Sequence, residues 1–265
     1  MNQSDKAWLA GLSAMALWIW ARDLAWLSQA AGTLPILVSL AWFTWLVSPW
    51  QLATTRRPIS MLPLAASALL IVTGTISNLT ILLAIAWALG LQAWINSRFQ
   101  SQTRNKANRL LLLTVMAFPW MALDGDLVST IFRLSAAQFS ESIFSFIGFA
   151  VERSGTNLWI QGLPVTVNEA CSGLGVLQAA MIAGVVLLEA LVSKNNHFWM
   201  QVPLLIVAAW TANALRVIVI SIAALTWGTE FAAGPFHTWG GMGVLLVVFS
   251  LSWGLIEWQQ KRTTS

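Results

Sequence analysis

The stretch Phe198–Leu225, FWMQVPLLIVAAWTANALRVIVISIAAL, decides what class of molecule this is. It exceeds the roughly 20 predominantly apolar residues that a helix needs to cross a bilayer. It also carries one charge, Arg216, in what would be the outer half of the span. Burying a cation at that depth is costly even on lenient insertion scales. Nothing apolar on the helix requires it, so Arg216 is a candidate site residue. The other reading is a structural arginine that snorkels or pairs with a helix carbonyl.

Composition extends this reading to the whole chain. The 265 residues are 57% hydrophobic and 9% charged, with a mean hydropathy of +0.71, whereas soluble domains carry about 25% charged residues. So few charges cannot clothe a core of this size in a water-facing surface. The sequence therefore predicts an all-α polytopic membrane protein, one integral membrane domain over residues 1–265. Further apolar runs lie at Trp8–Trp26, Leu34–Trp50, Ser60–Ser77, Leu79–Ile95, Leu110–Leu123, Gly173–Val192 and Trp239–Trp258. They bring the expected count to eight transmembrane helices, with seven as the fallback. The first run lacks a small-residue cleavage motif and reads as an anchor. The 17 Trp suit membrane interfaces.

Orientation follows from the basic residues. With the N-terminus in the cytoplasm, ten of the 14 Lys and Arg fall inside: Lys6, Arg56, Arg57, Arg98, Arg104, Lys106, Arg109, Lys194, Lys261 and Arg262. Arg22, Arg133 and Arg153 fall outside, with most of the acidic residues. This satisfies the positive-inside rule and places both termini in the cytoplasm. The net charge of +4 needs no nucleic-acid partner.

Between the fifth and sixth runs, Asp124–Ser172 contains nothing long enough to span. Leu127, Val128, Ile131, Phe132, Leu134, Phe139, Ile143, Phe144 and Ile147 recur at helical spacing among polar residues. The pattern suits a helix lying in the membrane interface or an ordinary packed outer helix. From Asn157 to Val167, alternating residues between turn signals at Gly155 and Gly162–Pro164 predict a short β-hairpin. Together these form a small extracytoplasmic lid leading into Asn168-Glu169-Ala170-Cys171-Ser172-Gly173 and the sixth span.

Cys171 is the sole cysteine, which excludes an internal disulfide and a multi-cysteine metal site. It falls at the start of a helix on the outer side, where free N–H groups and the helix dipole stabilise a thiolate. A small buried hydrophobe is the other reading. Of two histidines, His197 lies in a short cytoplasmic loop and His237 opens the last span on the face of Cys171. A thiolate that attacks a carbonyl, an imidazole that moves protons and a fixed cation for the oxyanion are the parts acyl transfer needs. Arg216 fits the last role or a grip on a substrate carboxylate. Asn213, one helical turn before it, orients it, adds an amide donor or bonds a neighbouring helix. Glu169 either orients His237, receives a basic substrate group or is a solvated loop acid. Ser172 reads as the helix N-cap rather than a nucleophile, and Gly173 and Gly175 as sites of close helix approach. No metal and no cofactor is implied.

The segment Val165-Thr-Val-Asn-Glu-Ala-Cys-Ser-Gly-Leu, the Asn213-Ala-Leu-Arg216 pair inside a later span and His237 at the mouth of the last one resemble the exosortase/archaeosortase family. The likeness covers residues 110–258, and His rather than a second Arg in the last motif resembles the bacterial exosortase branch. The resemblance implies a membrane-embedded cysteine protease or transpeptidase of the bacterial inner membrane, with its active site on the outer face. Its substrates would be exported proteins ending in a short motif (often Pro-Glu-Pro), a transmembrane helix and a basic cluster. It further implies Cys171 as nucleophile, His237 as general base and acid, and Arg216 as the transition-state or substrate-positioning residue.

Two other classes stay open. A serine protease of the rhomboid kind would use Ser172 with His237, leaving Arg216 idle. A non-enzymatic carrier or assembly subunit for envelope polysaccharide would use Arg216 to bind a lipid phosphate, with Pro119 and Pro203 as helix breaks.

Overall fold

The computed structural model describes residues 3–28, 30–167, 173–192 and 195–264. The chain is mostly helical, with helices α1 (Gln3–Ala21), α2 (Ala30–Val47), α3 (Met61–Ile76), α4 (Thr80–Arg98), α5 (Ser101–Met116), α6 (Trp120–Leu123), α7 (Gly125–Phe146), α8 (Leu174–Leu191), α9 (Asn195–Trp227), α10 (Thr229–Ala233) and α11 (Pro235–Thr264). Three short strands, β1 (Val151–Ser154), β2 (Asn157–Ile160) and β3 (Leu163–Thr166), lie between α7 and α8.

All eight apolar runs expected to span form helices, but not equally long ones. Among the described residues, four helical stretches are long and apolar enough to cross a membrane: Thr80–Arg98, Leu174–Leu191, His197–Trp227 and Met242–Gln259. Counting one bent pair as a single span raises this to five. Thr33–Val47 and Met61–Ile76 are apolar but short. The fifth run differs most. Its helix begins at Ser101, within a basic stretch that hydropathy cannot mark, and stops at Met116, with Pro119 capping α6. Pro203 interrupts nothing: α9 continues through it for 33 residues. His197, expected in a loop, belongs to the first turn of that helix.

The described chain divides into two compact units. In the first, Met1–Gly125 with Met181–Trp199, α4 is central. It buries Leu83, Ala84, Ala86, Ala88, Gly90, Leu91, Ala93 and Ile95, and its small residues let neighbouring backbones approach, the usual solution where lipid supplies no hydrophobic drive between helices. The Ser67 hydroxyl donates to the Ala86 carbonyl at 2.7 Å. The Trp87 and Trp20 indoles donate to the Leu12 and Ala117 carbonyls at 2.7 and 3.1 Å. These tryptophans thus join helices, a role that an interface preference does not foresee. α1 and α4 run antiparallel. At one end Asp5 pairs with Arg98 at 2.9 Å and Arg56 at 3.2 Å. At the other, Arg22 donates to Asn78, and Asp124 accepts the Ile81 N–H at 2.6 Å. Inside this unit, residues expected on opposite membrane faces therefore sit at opposite ends.

The second unit comprises Asp126–Ala180 and Met200–Ser265. Its core joins Ala136, Ala137 and Phe144 of α7, Leu158 and Ile160 of β2, Val167, and Ala214, Val217 and Ile218 of α9. Alternation drives the strand contribution: Leu158 and Ile160 point inward while Asn157 and Trp159 point out. Where the sequence predicts a hairpin, the structure has three antiparallel strands in the order β1-β2-β3. β1 escapes a hydropathy reading because its Glu152, Arg153 and Ser154 are exposed. α7 is a packed helix with an exposed apolar side. It packs through Ala136, Ala137, Ser140 and Phe144, yet leaves Ile131, Leu134 and Phe146 exposed. The Trp210 indole of α9 donates to the Ser135 hydroxyl of α7 at 2.9 Å.

Candidate functional site

Of the candidate residues, Asn213 and Arg216 lie in the middle of α9 and the backbone of His237 at the start of α11, all within the second unit, where Gly173 leads into α8. Asn213 is fully buried on α9, between buried Ala212 and Ala214. Arg216 follows one turn later and is half-buried, and both residues are engaged by neighbouring groups. Val217 and Ile218, beside Arg216 in sequence, anchor this turn in the core formed with α7 and the sheet. The arginine is thus carried on a helix segment held by packing on two elements, which limits how far its backbone can shift.

Gly173 joins the first motif to the second. Its φ is +77°, a left-handed conformation that favours glycine. A Cβ at this position would lie 2.7 Å from Cγ and 2.8 Å from Nδ2 of Asn213, so a side chain at Gly173 has no room. The bare α-carbon therefore seats directly on the Asn213 amide. The Gly173 carbonyl accepts the Leu177 N–H at 2.8 Å, a bond of the first turn of α8. Gly175, also expected at a close approach, faces open space. Cys171, Ser172 and Glu169 lie outside the described residues.

His237 is the third residue of α11; its side chain lies outside what is described. The turn that delivers it is built from aromatic residues. Phe231 of α10 stacks on Phe236 at 5.3 Å between ring centroids, and Trp227 meets both edge-on at 5.4 and 6.2 Å. The Phe236 ring lies over Gly240, where a Cβ would come within 2.8 Å of it. Pro235 opens α11, a position whose missing N–H costs the helix nothing. This aromatic knot was not foreseen. Its only sequence signal is the spacing of Trp227, Phe231 and Phe236, which any apolar helix end could show.

The sheet leads toward the same region. β3 ends at Thr166, and the Val167 N–H continues the ladder by donating to the Thr156 carbonyl at 3.0 Å. Four residues later comes Cys171. The second and third motifs, Asn213 with Arg216 and then His237, thus fall on α9 and α11 of one compact unit, and Gly173, two residues after Cys171 in sequence, leads into α8 of the same unit.

The transmembrane exosortase family model matches residues 20–254, nearly the whole chain and all three motif regions. No curated protein and no solved structure matches the chain. Several apolar helices of spanning character accompany this match, as expected of a multi-pass membrane protein. The chain belongs to the transmembrane exosortase family, a family of membrane-embedded peptidases and transpeptidases that act on exported proteins.

Proposed function

We propose that this protein is a thiol transpeptidase or protease of the bacterial inner membrane. It removes the C-terminal sorting tail of exported proteins on the outer face, with both of its own termini in the cytoplasm. The tail is a short recognition motif, a transmembrane helix and a basic cluster. α7 and the three-stranded sheet form the lid of the site.

Cys171 attacks the carbonyl carbon of the bond to be cleaved and forms a C–S bond, its proton passing to His237. Arg216 meets the oxyanion that develops; a cation fixed in a poorly solvated site acts there more strongly than it would in water. Collapse breaks the C–N bond, and His237 delivers the proton to the leaving amine, releasing the tail. Water, or an envelope amine or hydroxyl, then gives its proton to His237 and attacks the thioester. Collapse breaks the C–S bond and releases the processed protein, and His237 returns the proton to the sulfur, restoring the thiol. Asn213 positions Arg216, Glu169 orients His237 or binds a basic substrate group, and Ser172 supports the start of α8.

The observation that carries this reading is the seat of Gly173 on Asn213. Gly173 follows Cys171 by two residues, a length of chain that reaches at most about 7 Å, and Asn213 precedes Arg216 by one helical turn. A glycine required at this place, in a strained conformation, against the buried amide of the second motif, is what joining a nucleophile to its oxyanion partner calls for.

The test is tail processing in cells. Wild type, Cys171→Ala and Ser172→Ala are each co-expressed with a tailed protein from the same genome, and products are followed by blotting and mass spectrometry. Loss of a defined cleavage with Cys171→Ala alone is the expected result, and the product mass separates water from another acceptor. Loss with Ser172→Ala and retention with Cys171→Ala would transfer the chemistry to the serine. Equal processing by all three would end the enzyme reading.

A further inference from the structure

The two outer edges of the sheet are built differently. β1 and β3 are both edge strands, with β2 between them. On β1, Glu152 and Arg153 sit at the edge, and Arg153 Nε donates to Glu141 Oε2 of α7 at 2.5 Å. Charges of this kind obstruct pairing with a further strand. On β3, the run from Leu163 through Val167 has no charge.

Register says which backbone groups of β3 face away from the sheet. Gln161 and Gly162, both at positive φ, make the two-residue turn, so the flanking pair Ile160 and Leu163 exchange hydrogen bonds. Alternation then turns Leu163 and Val165 toward β2, and the bond from Val167 to Thr156 continues the phase. Pro164 and Thr166 therefore turn their polar backbone groups to an edge that is open among the described residues. Pro164 has no N–H to present, as suits an edge position. What remains is the Pro164 carbonyl, the Thr166 N–H and the Thr166 carbonyl: the set that one added antiparallel strand would use.

We infer that the edge of β3 receives the substrate, as an extended polypeptide segment flanking the cleaved bond, by strand addition. The inference rests on the thiol transpeptidase reading above. An occupant is specified by continuity: Thr166 precedes Cys171 by five residues in sequence, a length of chain that reaches at most about 18 Å, so a chain paired along β3 lies within that reach of the nucleophile. Backbone pairing accepts many side chains, and alternate residues facing the lid supply the selectivity. One substrate residue exchanges two hydrogen bonds with Thr166, and the residue two positions along donates its N–H to Pro164. The residue between them makes no backbone bond to the edge.

The experiment uses the full-length protein in lipid nanodiscs and a synthetic tail peptide whose cleavage site has been mapped by mass spectrometry. Single N-methyl groups are placed in turn on the amides flanking that site. Two amides, two residues apart, are expected to lose at least about tenfold in kcat/KM on methylation, the worth of one or two backbone hydrogen bonds, with less than twofold at the amide between. Thr166→Pro removes the one edge donor without touching the ladder to β2 and should cost a similar factor, chiefly in KM. A flat methylation profile with cleavage that still depends on Cys171 overturns the edge inference and leaves the transpeptidase reading standing. If the unmodified peptide shows no Cys171-dependent cleavage, that reading fails and the edge inference falls with it. Should Thr166→Pro not fold, the methylation profile decides alone.

Discussion

Two helical arginines, one in each unit of this protein, are set in different surroundings. Arg109 of α5 is locked by Glu189 of α8, with Nε and Nη2 donating to the two carboxylate oxygens at 2.7 and 2.8 Å. Its guanidinium also lies over the Phe198 ring at 5.7 Å. Arg216 of α9, also engaged by neighbouring groups, follows the buried Asn213, whose amide carries Gly173. The first arrangement answers the cost of a charge among apolar helices with a bidentate partner. The second places a cation one turn from a contact that only glycine permits, at the helix that follows the expected nucleophile. An arginine in a membrane helix therefore does not declare its role; the groups built around it do.

The comparison can be broken at several points. The largest effect is expected for Cys171→Ala, which should reduce tail cleavage to the detection limit, at least about a thousandfold, since loss of a nucleophile leaves only residual catalysis. Protein level and melting temperature in detergent should match wild type, and a collapse of either would make Cys171 structural. Next, Arg216→Lys keeps the charge but loses the planar fork. A loss of about 10²-fold or more in kcat is expected, in the range seen for removal of an oxyanion donor, with the thermal midpoint little changed. Arg109→Ala should do the reverse. Breaking a buried pair from one side costs about 3–5 kcal/mol, read as a lowered midpoint, while kcat of the folded fraction stays near wild type. If the two variants exchange these phenotypes, the assignment of the two arginines is reversed.

Gly173→Ala probes the joint between the motifs. The strained φ costs about 1–3 kcal/mol, and the new methyl must displace Asn213. Cleavage should fall about tenfold to a hundredfold, the effect of misplacing a reacting group by about 1 Å. Gly175→Ala, which meets open space, should leave cleavage unchanged, and equal losses from both would remove the special role of Gly173. The smallest effect is expected for Trp20→Phe. It deletes one indole–carbonyl bond in the first unit at a cost of about 1 kcal/mol, visible as a lowered midpoint with no change in kcat.

Membrane character, the helical identity of the apolar runs and a strand-forming stretch near 157–167 were all legible in the sequence. Each rests on a local property: mean hydropathy, or alternation over a few residues. The errors came where local signals fail. α5 begins inside a basic segment, because Lys and Arg are good helix formers that hydropathy scores as loop. β1 hides behind exposed charged residues. Gly173 and Gly175 look alike in the sequence and differ entirely in surroundings. Six of the tryptophans that composition assigns to an interface, Trp8, Trp20, Trp26, Trp87, Trp120 and Trp210, donate inside the protein.

By itself the sequence determined that this chain lives in a membrane, which family motifs it carries and in what order, because hydropathy and residue identity are properties of the chain whatever its fold. Tertiary structure alone decided which glycine seats on Asn213, that Glu189 closes on Arg109 and which strands become the edges of the sheet. The first two outcomes depend on contacts between residues 40 and 80 positions apart. Packing selects such contacts, and no local pattern encodes them.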